Sequence, residues 1–214
     1  MSTKLNVAIL VYPGVEMIDM NGPADVFLKA NNLNKGKYQI FTLAETPEPL
    51  CSEASLVKIT PTYTLDNCPE PDIIVIPGQI LSEDPYQFGS GSDVLIAWLQ
   101  KMALKPEVRI MSVCIGAYIL ARTGLLSGRE ATTHYASIAD IQSQYHDIRF
   151  IKNVRYVPDD NFVTTGGITS GIDGALYLIE QMDDADIAQH VADIMVYNRE
   201  APLPPYTLLP PYDN

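Results

Sequence analysis

The chain has 214 residues, enough for one well-buried core, so a single domain is expected. With 47% hydrophobic and 19% charged residues it has the composition of a globular protein and not of a disordered one. A formal net charge of -12 argues against nucleic acid and against anionic membrane surfaces, both of which need basic patches, and favours a small neutral ligand or a protein partner.

No apolar stretch approaches the roughly 20 residues needed to span a bilayer. The opening MSTKLNVAILVYPGV reads as a first strand and not as a signal peptide, so a cytoplasmic address is expected. The three cysteines, Cys51, Cys68 and Cys114, are odd in number and lack C-x-x-C spacing, which suggests neither a disulfide framework nor a thiolate metal site.

The predicted elements alternate. A strand over 6–11 leads into YPGVEMIDMNGP, and a helix over 23–31 follows, with Asn21 as its N-cap and Pro23 early enough that its missing N–H does no harm. A strand over 38–43 precedes Pro-rich loop sequence in which Cys51 and Cys68 are incidental. The apolar run 73–76 is a buried strand, ending at Pro77-Gly78-Gln79. A helix over 93–104 places Val94, Leu95, Trp98 and Leu99 on one face.

The strand 108–113 then runs through Cys114 straight into a helix over 115–122. A short amphipathic helix over 137–145 is followed by a hairpin of 148–157 with 162–165, turning at Pro158-Asp159-Asp160-Asn161. Gly166-Gly167 is a tight turn into a helix over 170–182 capped by Thr169 or Ser170, and a last helix covers 184–197 with Ile187, Val191, Ile194 and Met195 on one side. Residues 201–214 carry five of the sixteen prolines and should pack as an extended arm. The whole reads as an α/β three-layer sandwich with a mostly parallel, flavodoxin-like sheet, residues 1–200 being one domain.

Cys114 is the residue richest in chemical meaning. With no spacer between strand and helix it is itself the turn, beside the unpaired N–H groups that begin a helix, and those groups favour a thiolate. This is the arrangement of a nucleophile elbow, in which the N–H of Ile115 serves an oxyanion. Gly116, lacking Cβ, lets a second backbone or a substrate come close.

In an open α/β sheet the ligand crevice lies outside the carboxyl ends of the strands, so the residues past each strand end form a candidate site. They are Glu16 and Asp19, then Pro77, Gly78 and Gln79, then Cys114, then Gly166-Gly167. A carboxyl group near the thiol has a use as a proton donor, and Asp19, flanked by Ile18 and Met20, is the better choice over Glu16; its alternative reading is a helix cap. Gly78 offers a second oxyanion N–H or a plain tight turn. His134, in the small-residue setting ATTHY, reads as a structural histidine or a general base.

Taken together, the segments IDMNGPADVF, IIVIPGQ, SVCIGAYILARTGLLSGREATTHY and NFVTTGGITSGIDGAL resemble the ThiJ/PfpI family of the class I glutamine-amidotransferase-like superfamily. Within it the chain looks most like the isonitrile hydratases and the ligand-like N-terminal domains of AraC-type regulators. The resemblance implies Cys114 as nucleophile and Asp19 as acid of a hydratase converting an isocyanide R–N≡C to an N-substituted formamide through a thioimidate. It implies no metal or organic cofactor, a small-molecule substrate and a homodimer. Two positions depart from the hydratase pattern: Ile115 stands in place of a threonine, and Gln79 in place of a second glycine, where it narrows the pocket or adds a substrate-binding amide. The alternative function is a non-catalytic binding module, or a stress sensor in which Cys114 is oxidised. A peptidase or amidotransferase ranks third, because no Cys-His-Glu arrangement of the glutaminase kind is visible in the sequence.

Overall fold

A computed structural model describes residues 4–79 and 91–199. In chain order the elements are β1 (Leu5–Leu10), α1 (Met17–Leu33), β2 (Tyr38–Ala44), β3 (Leu50–Cys51), β4 (Lys58–Ile59), β5 (Tyr63–Thr64) and β6 (Ile73–Ile76). They continue with α2 (Asp93–Met102), β7 (Arg109–Val113), α3 (Gly116–Arg122), β8 (Glu130–Ala131), α4 (Ile138–Gln144) and β9 (Arg149–Phe150). The last are β10 (Tyr156–Asp159), β11 (Phe162–Thr165), α5 (Ser170–Met182) and α6 (Ala185–Ile194).

The main sheet has the order β10-β11-β7-β6-β1-β2-β5. All its pairings are parallel except β10 with β11. The central strands carry continuous aliphatic runs because both faces of a parallel sheet are covered: every residue of β6 and β11 is buried, as are the last four of β7. The β1, β2, β6, β7 and β11 core has the flavodoxin order. From β1 the chain steps one way to β2 and the other way to β6, and right-handed crossovers then place the intervening helices on opposite faces. Accordingly α1, α5 and α6 pack together as one layer, and α2 packs with α3 in the other. The point of reversal, between the carboxyl ends of β1 and β6, is where such a fold opens a crevice.

Several expectations are corrected. Helix α1 begins six residues before the predicted start, capped by the Glu16 side chain, which accepts the Asp19 N–H; Asn21 lies inside the helix, where its side chain donates to the Met17 carbonyl. Pro23 is therefore an internal proline, buried in the core-facing side. The hairpin is shorter than predicted: only Tyr156–Asp159 pairs with β11, while Arg149–Phe150 pairs with β8 instead. Val94 and Ile194 point outward and do not complete the apolar faces assigned to them. The proposed arm at 201–214 lies outside the described residues. Among the described residues no helix is long and apolar enough to cross a membrane.

Candidate active site

The tips of β1, β6 and β7 bring Tyr12, Asp19, Gly78 and Cys114 to the crevice. Cys114 has a φ of 55°, the left-handed region, which costs a non-glycine residue about 1–3 kcal/mol and is sustained only by what surrounds it. The surroundings are specific. The Cys114 N–H donates to the Thr165 carbonyl at the end of β11, and the Cys114 carbonyl accepts the Thr133 hydroxyl at 2.8 Å. Gly116 allows the elbow to close on β6, since a Cβ there would sit 2.1 Å from the Ile76 carbonyl oxygen. Of the two uses foreseen for Gly116, the close approach is that of a second backbone.

The backbone N–H groups of Ile115 and Ile168 face the Cys114 sulfur. They lower the thiol pKa, as a helix start should, but burial and then the neighbouring Asp19 charge outweigh them, and the thiol is held well above its ordinary value. The expectation of a ready thiolate is thus reversed: an elbow exposed to water would ionise, but this one is 7% exposed.

Asp19 sits one turn into α1 and is fully buried. Its Oδ2 accepts the Gly78 N–H at 2.8 Å, while Oδ1 has no hydrogen-bond donor among the described residues. The Glu16 side chain, which accepts the Asp19 N–H, stands close to this carboxyl. Burial first, and the Glu16 charge second, push the Asp19 pKa well up against the lowering effect of the Gly78 N–H. Asp19 is a buried acid. Farther out, Glu53 on the loop after β3 is raised by burial and by the same Glu16.

Gly78 joins the acid to the thiol. A Cβ at this position would lie 2.6 Å from Asp19 Oδ2, 2.9 Å from Ile115 Cγ1 and 3.5 Å from Cys114 Cβ, so the carboxyl and the cysteine flank a single point that only a glycine leaves open. Its N–H does not face the crevice as an oxyanion donor, because it is committed to Asp19. Gln79 is also corrected: its side-chain N–H donates to the Pro13 carbonyl at 2.7 Å, clasping the β1–α1 loop instead of reaching for substrate.

His134 packs beside the turn after β11. Its ring packs against Gly167, 3.0 Å from where a Cβ would be, and against Tyr135 with centroids 4.4 Å apart. Burial lowers its pKa, which keeps the imidazole neutral. It braces the turn that carries Ile168. Among the described residues no group of three His, Cys, Asp or Glu side chains could hold a metal ion.

Two participants escape sequence reasoning. The Ile168 N–H has no side-chain signature, although counting two residues past Gly166-Gly167 at the β11 tip would have reached it. Tyr12, one residue beyond the β1 run, was visible as a strand-tip residue. Its hydroxyl donates to the Pro77 carbonyl, and its phenol is raised by burial and then by the charges of Asp19 and Cys114.

The sequence pattern of the DJ-1/PfpI family matches residues 5–181, a span that contains every residue of this site. The chain belongs to the DJ-1/PfpI family. It is 32% identical over 211 residues to an isonitrile hydratase of Pseudomonas putida, covering 94% of this chain and 81% of that protein. A ThiJ/PfpI family protein from Pseudomonas syringae superposes with a TM-score of 0.78 at 27% identity, over 94% of this chain and 78% of that one. This DJ-1/PfpI chain is also 23% identical to the HTH-type transcriptional regulator GbdR of Pseudomonas aeruginosa, over 91% of its own length but 51% of the regulator's. Enzymes and regulators therefore both stand among its relatives.

Proposed function

We propose that this DJ-1/PfpI protein is a cofactor-free hydratase that adds water to an isocyanide and releases an N-substituted formamide. The observation that carries this reading is the pairing of Cys114 with a buried, proton-holding Asp19 across Gly78, in a relative of an isonitrile hydratase.

The chemistry follows from the pair. The Cys114 sulfur attacks the terminal carbon of R–N≡C, forming the S–C bond. Asp19 gives its proton to that carbon and takes the thiol proton in exchange, leaving a thioimidate, R–N=CH–S. Charge that develops on sulfur is met by the Ile115 and Ile168 N–H groups. Water then adds to the thioimidate carbon with its proton passing to nitrogen. When the C–S bond breaks, the hydroxyl proton returns to sulfur through Asp19 and R–NH–CHO leaves. No proton is gained or lost over the cycle beyond those of the water consumed.

This sequence explains why a raised thiol pKa is tolerable. The attack needs a base only at the moment of bonding, and Asp19 supplies one after donating its own proton. Ile115 supplies its backbone N–H regardless of its side chain, so losing a threonine hydroxyl there leaves the donor in place. Purified protein given phenyl isocyanide should form N-phenylformamide, and Cys114→Ala should form none; equal rates from the two proteins contradict the assignment. The regulator relative favours a second reading, a sensing module without turnover, which predicts no formamide from either protein and Cys114 sulfinic acid after mild peroxide.

A further inference from the structure

A helix cap does not need a charge, yet the cap of α1 is a glutamate. Serine, threonine, asparagine and aspartate are the usual residues there, because one side-chain oxygen is enough to hold an N–H. Glu16 is 7% exposed and stands beside an Asp19 with no exposure at all. It is pinned from two directions: its carboxyl accepts the Asp19 N–H at 2.5 Å, and its own N–H donates to the Gly78 carbonyl at 3.0 Å. The Gly78 N–H in turn binds Asp19 Oδ2, so one glycine ties the two acids together. Between groups with so little water around them a charge is poorly screened.

Glu53 is brought to the same place by a strained loop. Ser52 pairs with Val15 in an isolated parallel bridge, and the Glu53 N–H donates to the Val15 carbonyl at 3.1 Å. The next two residues, Ala54 and Ser55, have φ values of 48° and 54°. Left-handed backbone at successive non-glycine residues persists only where its surroundings impose it, and it collects at functional sites. The Ser52 hydroxyl closes the loop by accepting the Val57 N–H at 3.1 Å. A half-exposed carboxyl is thereby fixed next to Glu16.

Three carboxyl groups thus run inward from the surface: Glu53 half-exposed, Glu16 nearly buried and Asp19 wholly so. Like charges this close are not all carried at once, and the group with least water is the one that stays neutral. The two oxygens of Asp19 fit that state. Oδ2 accepts the Gly78 N–H, and Oδ1, with no hydrogen-bond partner among the described residues, is left for the proton. Tyr12 and Cys114, which face Asp19 from the β1 tip and the elbow, are pushed up by burial and then by the Asp19 charge. Both are therefore neutral at pH 7, and the charges acting on Asp19 are those of Glu16 and Glu53.

We propose that Glu16 is a positioning residue for the acid: its negative charge holds the proton on Asp19 Oδ1 at neutral pH, so that the buried carboxyl meets substrate as a donor, and Glu53 adds to the effect from the surface. The use made of that proton rests on the hydratase reading, but the place of the proton can be observed without turnover.

Glu16→Gln keeps an oxygen for the Asp19 N–H and removes the charge. In protein labelled with ¹³C at its aspartate carboxyl groups, the Asp19 resonance, identified by its loss in Asp19→Asn, reports the pH at which the group titrates. Glu16→Gln should lower that midpoint by about one pH unit, and Glu53→Gln by less. Glu16→Asp, which keeps the charge, should stay nearer to wild type than Glu16→Gln. With phenyl isocyanide, the alkaline limb of the kcat/KM profile should move to lower pH by the same amount as the NMR midpoint. A role confined to capping predicts no movement of either. An Asp19 midpoint that is unchanged or higher in Glu16→Gln overturns the proposal; if that variant does not fold, an unchanged midpoint in Glu53→Gln overturns it equally. If the midpoint falls as expected while none of the proteins hydrates an isocyanide, the charge assignment stands and the hydratase reading fails.

Discussion

Asp19 is a carboxyl group placed where a carboxylate is disfavoured, and this has a consequence for stability that can be measured apart from activity. Its folded pKa lies well above its ordinary value, so between the ordinary value and the folded one the native state holds a proton that the unfolded chain has lost. Stability from this group is present in full below the ordinary carboxylate range and falls as pH rises toward the folded value. Asp19→Asn should therefore stabilise the protein at pH 7, by about 1–2 kcal/mol, with the gain vanishing near pH 4. Urea titrations at the two pH values check this, and a destabilised variant at pH 7 would mean that Asp19 is ionised in the fold. Cys114 follows the same logic in its reactivity. Its raised pKa predicts slow alkylation by iodoacetamide at pH 7 and a rate that climbs with pH beyond the range of a free cysteine. The meeting of both residues at one crevice was legible in the sequence from strand tips and the family resemblance. Their protonation was not: a helix start argues for a thiolate until burial and a neighbouring acid are known. The Gly78 N–H was misplaced for a related reason, since its partner is 59 residues away and no local pattern reveals it.

The elbow is held by three elements at once, so it should fail at each support separately. Gly116→Ala puts a methyl group 2.1 Å from the Ile76 carbonyl oxygen, and two backbones cannot separate without parting α3 from β6. A loss of about 3 kcal/mol in unfolding free energy is expected. Thr133→Val keeps the shape but removes the donor to the Cys114 carbonyl, with a smaller expected cost of about 1 kcal/mol. Chemical denaturation ranks the two, and a Thr133→Val effect larger than that of Gly116→Ala would relocate the main support. The strands that build this region were readable because β6, β7 and β11 are apolar runs buried on both faces. Helix α5 was placed from Ser170 to Met182 by its entry glycines and its apolar period. Helix α1 was not: Asn21 and Pro23 imitate a helix start, whereas the true cap, Glu16, is identified by a side chain reaching three residues ahead. The two-residue strands β3, β4, β5, β8 and β9 are too short to show any period.

Across the molecule, one sheet order accounts for the position of the chemistry. Reversal at β1 opens the crevice, β7 delivers the thiol, α1 delivers the acid and the β6 tip spaces them. Alternating strands and helices were enough to predict that layering. The convergence of Tyr12 and Ile168 on the same crevice depends on backbone positions that composition and periodicity do not encode. The most direct test of the account is mass spectrometry of the Cys114 peptide during turnover of phenyl isocyanide by the wild-type protein and by Asp19→Asn. Without the acid, turnover should fall by roughly 10²–10⁴. Because Asp19 supplies the proton that completes the thioimidate, a Cys114 adduct with the mass of the added isocyanide should be trapped in the wild-type protein and be absent from both Asp19→Asn and Cys114→Ala. Undiminished formamide production by Asp19→Asn, or an adduct on any residue other than Cys114, would contradict it.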